Sequence, residues 1–192
     1  MGDQDVEFPV EVQVALQRAE QAGFRHSCGP EVGRLLMVLA GAVPLFGRVL
    51  EIGAGAGVGT AWLATGLERR LDVEAITVEV DAELAALGRS GTWPARVKLV
   101  EADILDVLAN LGQFDLVFAD AAGGKWHGLA RTVQALRPGG ILIVDDMQPR
   151  EGSDESDGHP NRAVRNTLYD HRDLITAEFD LGSGVILATR KR

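Results

Sequence analysis

Five short runs rich in Val, Ile and Leu constrain this chain most: Arg48–Ile52, Val73–Val80, Arg96–Val100, Phe114–Ala119 and Gly140–Val144. A strand with one wet face alternates apolar and polar residues, so near-continuous apolar runs of this length are strands buried on both faces. Each of the first four leads into a longer stretch with helical spacing or helix-forming composition. That alternation predicts parallel strands with helices packed on either side. Leu174–Phe179 and Val185–Thr189 then follow with only the residues 180–184 between them. The gap is too short for a helical crossover, so these two runs are expected to form an antiparallel hairpin. The expected fold is an α/β sandwich with a mainly parallel sheet and a C-terminal antiparallel hairpin.

Residues 1–45 are expected to supply N-terminal helices, and residues 46–192 the α/β core of one domain, a size ordinary for 192 residues. Val32, Leu35, Leu36 and Leu39 fall at i, i+3, i+4 and i+7, a core-facing helical stripe. Val12, Ala15, Leu16 and Ala19 fit the same template, although Val10, Val12 and Val14 also alternate as a strand would. The stretch 148–160, QPREGSDESDGHP, has no hydrophobic pattern and reads as a surface loop. It follows the fifth strand, at the sheet edge where ligands bind in such folds, so it is either a lid or a plain insertion.

Charge and cysteine usage narrow the setting. With 19 basic and 28 acidic residues the net charge is −9, which repels phosphate backbones and disfavours a nucleic-acid partner. The longest apolar stretch, Leu35–Phe46, falls short of the roughly 20 residues a membrane span needs. The first six residues lack the basic start of a signal peptide. Cys28 is the sole cysteine, excluding an intrachain disulfide or a Cys-based zinc cluster. A cytoplasmic protein without a membrane partner is expected.

The most informative stretch runs from Leu50 to Thr60, LEIGAGAGVGT, where the first strand must turn into a helix. Glycines there permit positive φ and close approach of a ligand to the backbone, and the helix beyond offers free N–H groups and a positive dipole end. The dinucleotide fingerprint wants glycine at the first, third and sixth positions. Counted from Gly53 the sixth residue is Val58, and counted from Gly55 it is Thr60, so neither register fits a nicotinamide cofactor. Glu79 ends the second strand, where a carboxylate can accept both hydroxyls of a ribose.

Glu51-Ile52-Gly53-Ala54-Gly55-Ala56-Gly57, together with Thr77-Val78-Glu79-Val80-Asp81, resembles the class I S-adenosylmethionine (SAM)-dependent methyltransferases. Glu101-Ala102-Asp103, the run Phe114 to Asp120, and the run Leu136 to Asp146 follow in that family's order. Within the class the chain is most similar to the small O-methyltransferases of the catechol and caffeoyl-CoA type, with Ser27–Leu36 resembling the segment ahead of their first strand. The resemblance implies a Rossmann-like sheet and a homodimer. It also implies that Gly53, Gly55 and Gly57 line the methionine part of SAM and that Glu51 anchors their loop. Glu79 would hold the ribose, Asp103 the adenine amino group, and Asp120 would face the cofactor.

The same resemblance implies a divalent metal, Mg²⁺ or another hard cation, held by Asp120, Asp145 and Asp146, the last standing where the family has Asn. Such a metal would lower the pKa of an acceptor hydroxyl. Without a cation, Asp120 faces SAM and the other two merely end a strand. For the general base the family has a Lys three residues after the fourth-strand Asp. Here Lys125 comes two positions late, so Lys125 and His127 are both candidates, with His159 a third by position. Trp126 could wall an aromatic acceptor. The function implied is methyl transfer to a hydroxyl of a small, aromatic acceptor. A non-hydroxyl or tRNA acceptor, or a nucleotide-binding module without catalysis, remain open at this level.

Overall fold

In the computed structural model of the chain, which describes residues 7–148 and 159–192, the apolar runs pair into one seven-stranded sheet. Residues 149–158, most of the expected polar loop, lie outside the described residues. β1 (Arg48–Ile52), β2 (Glu74–Glu79), β3 (Val97–Glu101), β4 (Phe114–Ala119) and β5 (Leu136–Val144) are parallel. β6 (Leu174–Phe179) and β7 (Val185–Arg190) form the expected antiparallel pair, with β7 inserted beside β5, giving the order β3-β2-β1-β4-β5-β7-β6. The winding reverses between β1 and β4. At such a switch point the connections leave in opposite directions and open a crevice at the carboxyl ends of the strands.

Both faces of the central strands β1, β2, β4 and β5 are dry. Val49, Leu116, Phe118 and Ile143 point into a core shared with α1 (Val10–Gln21), α2 (Pro30–Gly41) and α3 (Val58–Gly66). Leu50, Ile52, Val117 and Leu142 point the other way, toward α5 (Ile104–Leu111), α7 (Leu129–Gln134) and α8 (Pro160–Tyr169). α4 (Ala82–Arg89) covers β2 and β3. No helix among the described residues is long and apolar enough to cross a membrane.

In α1 the helical period overrides the alternation of its valines: Val12, Ala15 and Ala19 are buried, whereas Val10 and Val14 are 69% and 51% exposed. β5 starts four residues before the apolar run suggests. Leu136 pairs with Phe114, and the pairing then jumps to Ile141 with Leu116, so Arg137–Gly140 bulge out. Gly139 takes φ +83° within the bulge. A bulge of polar and glycine residues carries no apolar signal, which is why hydropathy alone misses it.

α3 lies closest to the sheet's centre, and α2 crosses it at two glycines. A methyl group built on Gly33 would sit 2.1 Å from Nε1 of Trp62, and one on Gly66 would sit 2.2 Å from the Met37 carbonyl oxygen. Trp62 is fully buried and has nowhere to swing. Gly33→Ala should gain up to about 1 kcal/mol of helix propensity but lose roughly 2–3 kcal/mol to overpacking. A net loss of about 1–2 kcal/mol is expected in equilibrium denaturation.

Candidate active site

β1 runs into the turn Gly53–Gly57, whose glycines 53, 55 and 57 hold φ of +98°, +51° and +86°. Side-chain-bearing residues are strained in that region, so the turn needs glycine at each. α3 then begins with no side-chain cap, leaving its first N–H groups to a ligand or to water. Glu79 at the end of β2 ties the turn down. Its Oε2 accepts from the Gly55 N–H (2.8 Å) and its Oε1 from the Asp81 N–H (3.0 Å).

Glu51 is buried beneath the turn. Its Oε2 accepts from the Thr60 hydroxyl at 2.5 Å, and its Oε1 has no hydrogen-bond partner among the described residues. A methyl on Gly59 would fall 2.3 Å from that oxygen, so only glycine lets α3 close over the carboxylate. Burial pushes the Glu51 carboxyl up to about 7; the Thr60 hydrogen bond works against the rise and the Glu79 charge adds to it.

A cleft opens here, lined by Phe24, Ser27, Cys28, Glu51, Gly53, Gly55, Glu79 and Asp120. It borders a second, more apolar pocket that shares Gly53, Glu79 and Ala121 and is walled by Val80, Asp103, Ile104 and His127. Five of the seven expected cofactor residues thus share the cleft, and Asp103 lies in its extension. Asp103 also caps α5, its Oδ1 accepting from the Leu105 N–H at 2.8 Å. Gly57 does not line the cleft. It faces outward, where a methyl would meet Arg18 Nη1 at 2.9 Å and the Trp93 ring at 3.0 Å.

The other end of the cleft is acidic. Asp120 follows β4, and Asp145 and Asp146 follow β5. Burial, with Asp145 as the next cause, holds the Asp120 carboxyl well above the usual carboxylate range, while Lys125 pulls it back. Burial raises Asp145 as well, against the Ser183 hydrogen bond. Lys125 reaches this group because α6 (Ala122–Lys125) is a kinked turn, broken at Gly123 and at Gly124 with φ +82°. The side chain is 2% exposed, and Nζ donates to the Asp145 carbonyl at 3.1 Å and lies 3.9 Å from Asp146 Oδ2. The two-position delay in sequence is therefore undone by the glycine kink.

The three carboxylates expected to hold a metal, Asp120, Asp145 and Asp146, stand at the ends of neighbouring strands. Among the described residues no group of three His, Cys, Asp or Glu is arranged to hold an ion. Asp145 Oδ1 already accepts from the Asp146 N–H (2.7 Å) and the Ser183 hydroxyl. Asp146, at φ +58°, leaves its side chain half exposed with its Oδ2 3.9 Å from the Lys125 ammonium, whose charge also acts on Asp120. The donor set therefore does not fit a divalent ion that needs several converging free oxygens.

His127 lies beside Asp103 and Ile104 in the apolar extension, away from Lys125's carboxylates. His159 caps α8, its Nδ1 accepting from the Asn161 N–H. Trp126 donates from Nε1 to Asn161 Oδ1 (2.9 Å), and Asn161 Nδ2 donates to the Asp146 carbonyl (2.8 Å). Sequence reasoning gives no hint of Asn161, Ser183, Phe24 or Arg18, because each meets the site only through tertiary packing. Burial pushes the Cys28 thiol up, and three nearby carboxylates push it further, which disfavours the thiolate.

Residues 50–147 match the family model described as methyltransferase domain. A protein of Mycolicibacterium vanbaalenii, provisionally named an O-methyltransferase, is 34% identical over 93% of this chain and 83% of its own length. Cofactor-bound Rv0187 from MTB superposes with a TM-score of 0.84 at 28% identity, over 98% of this chain and 93% of that one. The O-methyltransferase from Bacillus cereus in complex with SAH shares the fold at a TM-score of 0.83 and 24% identity, over 98% of this chain and 94% of that one. Matched by the family model through its centre and by its relatives through nearly its whole length, the chain belongs to the methyltransferase-domain family, on the branch that contains these O-methyltransferases.

Proposed function

We propose that this chain is a SAM-dependent O-methyltransferase acting on a hydroxyl of a small, aromatic acceptor. The observation that carries the reading is the run from the glycine turn at the β1/β4 crevice to the buried Lys125 beside Asp120. A partly apolar pocket adjoins the cleft that Asp120 lines, and Lys125 is held behind it on the Asp145 carbonyl, which supports a cofactor side and a proton-handling side. The unpartnered Glu51 Oε1 beneath the turn and the unpartnered Ser27 hydroxyl in the cleft wall fit a polar, cationic ligand.

SAM supplies a methyl group on a cationic sulfonium. Around it the chain's residues divide the work. Glu79 uses one lone pair of each oxygen on the backbone and keeps others for two ribose hydroxyls. Asp103, Val80 and Ile104 take the adenine, and the open N-terminus of α3 takes the methionine carboxylate. Glu51 and Asp120 give the cleft the negative potential that a sulfonium and an ammonium need. At the acceptor end, Lys125 Nζ steadies the hydroxyl oxygen as negative charge develops there. Asp120, made more basic than an ordinary carboxylate by burial, accepts the proton at a carboxylate oxygen. His127, in the apolar extension, takes no part in that transfer.

Titration calorimetry with SAM and with S-adenosylhomocysteine tests the reading, followed by turnover on a panel of phenols and catechols. Absence of binding by either ligand would overturn it; SAM binding without turnover on any acceptor would leave a binding module. Glu79→Ala should weaken SAM binding by at least tenfold, since it removes charge-assisted hydrogen bonds and frees the glycine turn. Lys125→Met should lower kcat by about 10²-fold or more with the SAM dissociation constant unchanged, read by single-turnover methyl transfer.

Glu51 adds a pH dependence. Its carboxyl titrates near 7 in the free protein, and a bound cation favours the ionised form, so binding releases a proton. SAM affinity should therefore rise with pH between about 6 and 8, and Glu51→Gln should flatten that profile in calorimetry.

A further inference from the structure

We propose that Lys125 itself fills the cation position at the acceptor end, so that this chain transfers methyl groups without a divalent metal. The inference rests on the reading of this edge as the acceptor end of a methyltransferase, and on where the ammonium is held. Lys125 is 2% exposed, and its Nζ lies 3.1 Å from the Asp145 carbonyl oxygen, 3.9 Å from Asp146 Oδ2 and 5.1 Å from the centre of the Trp126 ring. A divalent ion drawn to the same carboxylates would stand within a few ångströms of that ammonium, and on the side of the buried Asp145 little water is present to screen their repulsion.

The position is built rather than incidental. The break at Gly123 and Gly124 carries the lysine back toward Asp145. A methyl on Gly124 would strike Ile52 Cδ1 at 2.8 Å, so the turn admits no ordinary residue there. On the far side Asn161 joins the Trp126 indole N–H to the Asp146 carbonyl, fixing both the ring beside Nζ and the backbone that carries the carboxylate. Asp145 spends Oδ1 on the Asp146 N–H and on the Ser183 hydroxyl, inside the protein and not on an ion. Replacement of the family's Asn by Asp146 then adds a carboxylate that partners a lysine.

The metal-binding arm of the test needs neither SAM nor an acceptor, so its failure is separable from failure of the methyltransferase reading. Full-length protein is titrated with Mn²⁺ and the free-ion signal followed by electron paramagnetic resonance, for wild type, Lys125→Ala, Lys125→Arg and Asp145→Asn. Wild type and Lys125→Arg are expected to leave Mn²⁺ free up to about 1 mM, while Lys125→Ala, with its carboxylates relieved of their cation, binds at least about tenfold more tightly. Methyl transfer by wild type should be unchanged in excess EDTA. Tight Mn²⁺ binding by wild type that Asp145→Asn abolishes would overturn the proposal. So would failure of Lys125→Ala, shown folded by circular dichroism, to gain any Mn²⁺ affinity, since the carboxylates would then not form a cation position.

Discussion

A sheet buried on both faces leaves its polar side chains only one place to go, the two lines of strand ends. The rest of this structure follows from that constraint. At the amino ends, Arg48 pairs with Glu74 at 3.1 Å, Lys98 with the same Glu74 at 2.5 Å, and Arg137 with Asp115 at 2.7 Å. Three cations there share two carboxylates and stitch neighbouring strands together. At the carboxyl ends Glu51, Glu79 and Asp120 share the cleft, and Asp145 ends the next strand, its carbonyl holding the Lys125 ammonium. The imbalance is tolerated because burial keeps Glu51, Asp120 and Asp145 closer to their neutral forms than exposed acids would be. One edge is built for stability and the other holds unspent charge, a division expected where an α/β sheet receives its ligand.

Most of the sheet was legible because a doubly covered strand writes itself as an unbroken apolar run, and because a five-residue connection cannot hide a helix. The start of β5 was not, since Pro138, Gly139 and Gly140 pair through a bulge that no hydropathy pattern marks. α1 was ambiguous in sequence, its valines fitting two periods, and packing against α3 decided between them.

The site divides the same way. Residues that act where the chain puts them, such as Gly53, Glu79 and Asp103 at strand and helix ends, could be read from position. Residues whose contacts need the finished fold could not. Where Lys125 and His127 lie could not be read: the kink at Gly123 and Gly124 carries Lys125 to the Asp145 carbonyl, and His127 lines the pocket that Asp103 also lines. The surroundings of the three expected metal carboxylates were equally invisible in one dimension: the lysine's ammonium lies 3.9 Å from Asp146 Oδ2 and acts on Asp120 through its charge.

The glycine turn has two sides, and they answer to different neighbours. Gly53 and Gly55 face the cleft, whereas Gly57 faces Arg18, which donates to the Ala56 carbonyl at 2.7 Å and lies 5.4 Å over the Trp93 ring. The outer side of the turn is therefore the inner side of a joint between the N-terminal helix and the segment after α4. Change at position 57, 18 or 93 is felt by the other two before it is felt by any ligand. As sequences of this kind diverge, these three positions are bound to drift as a set, at a pace set by packing and independent of what the enzyme methylates.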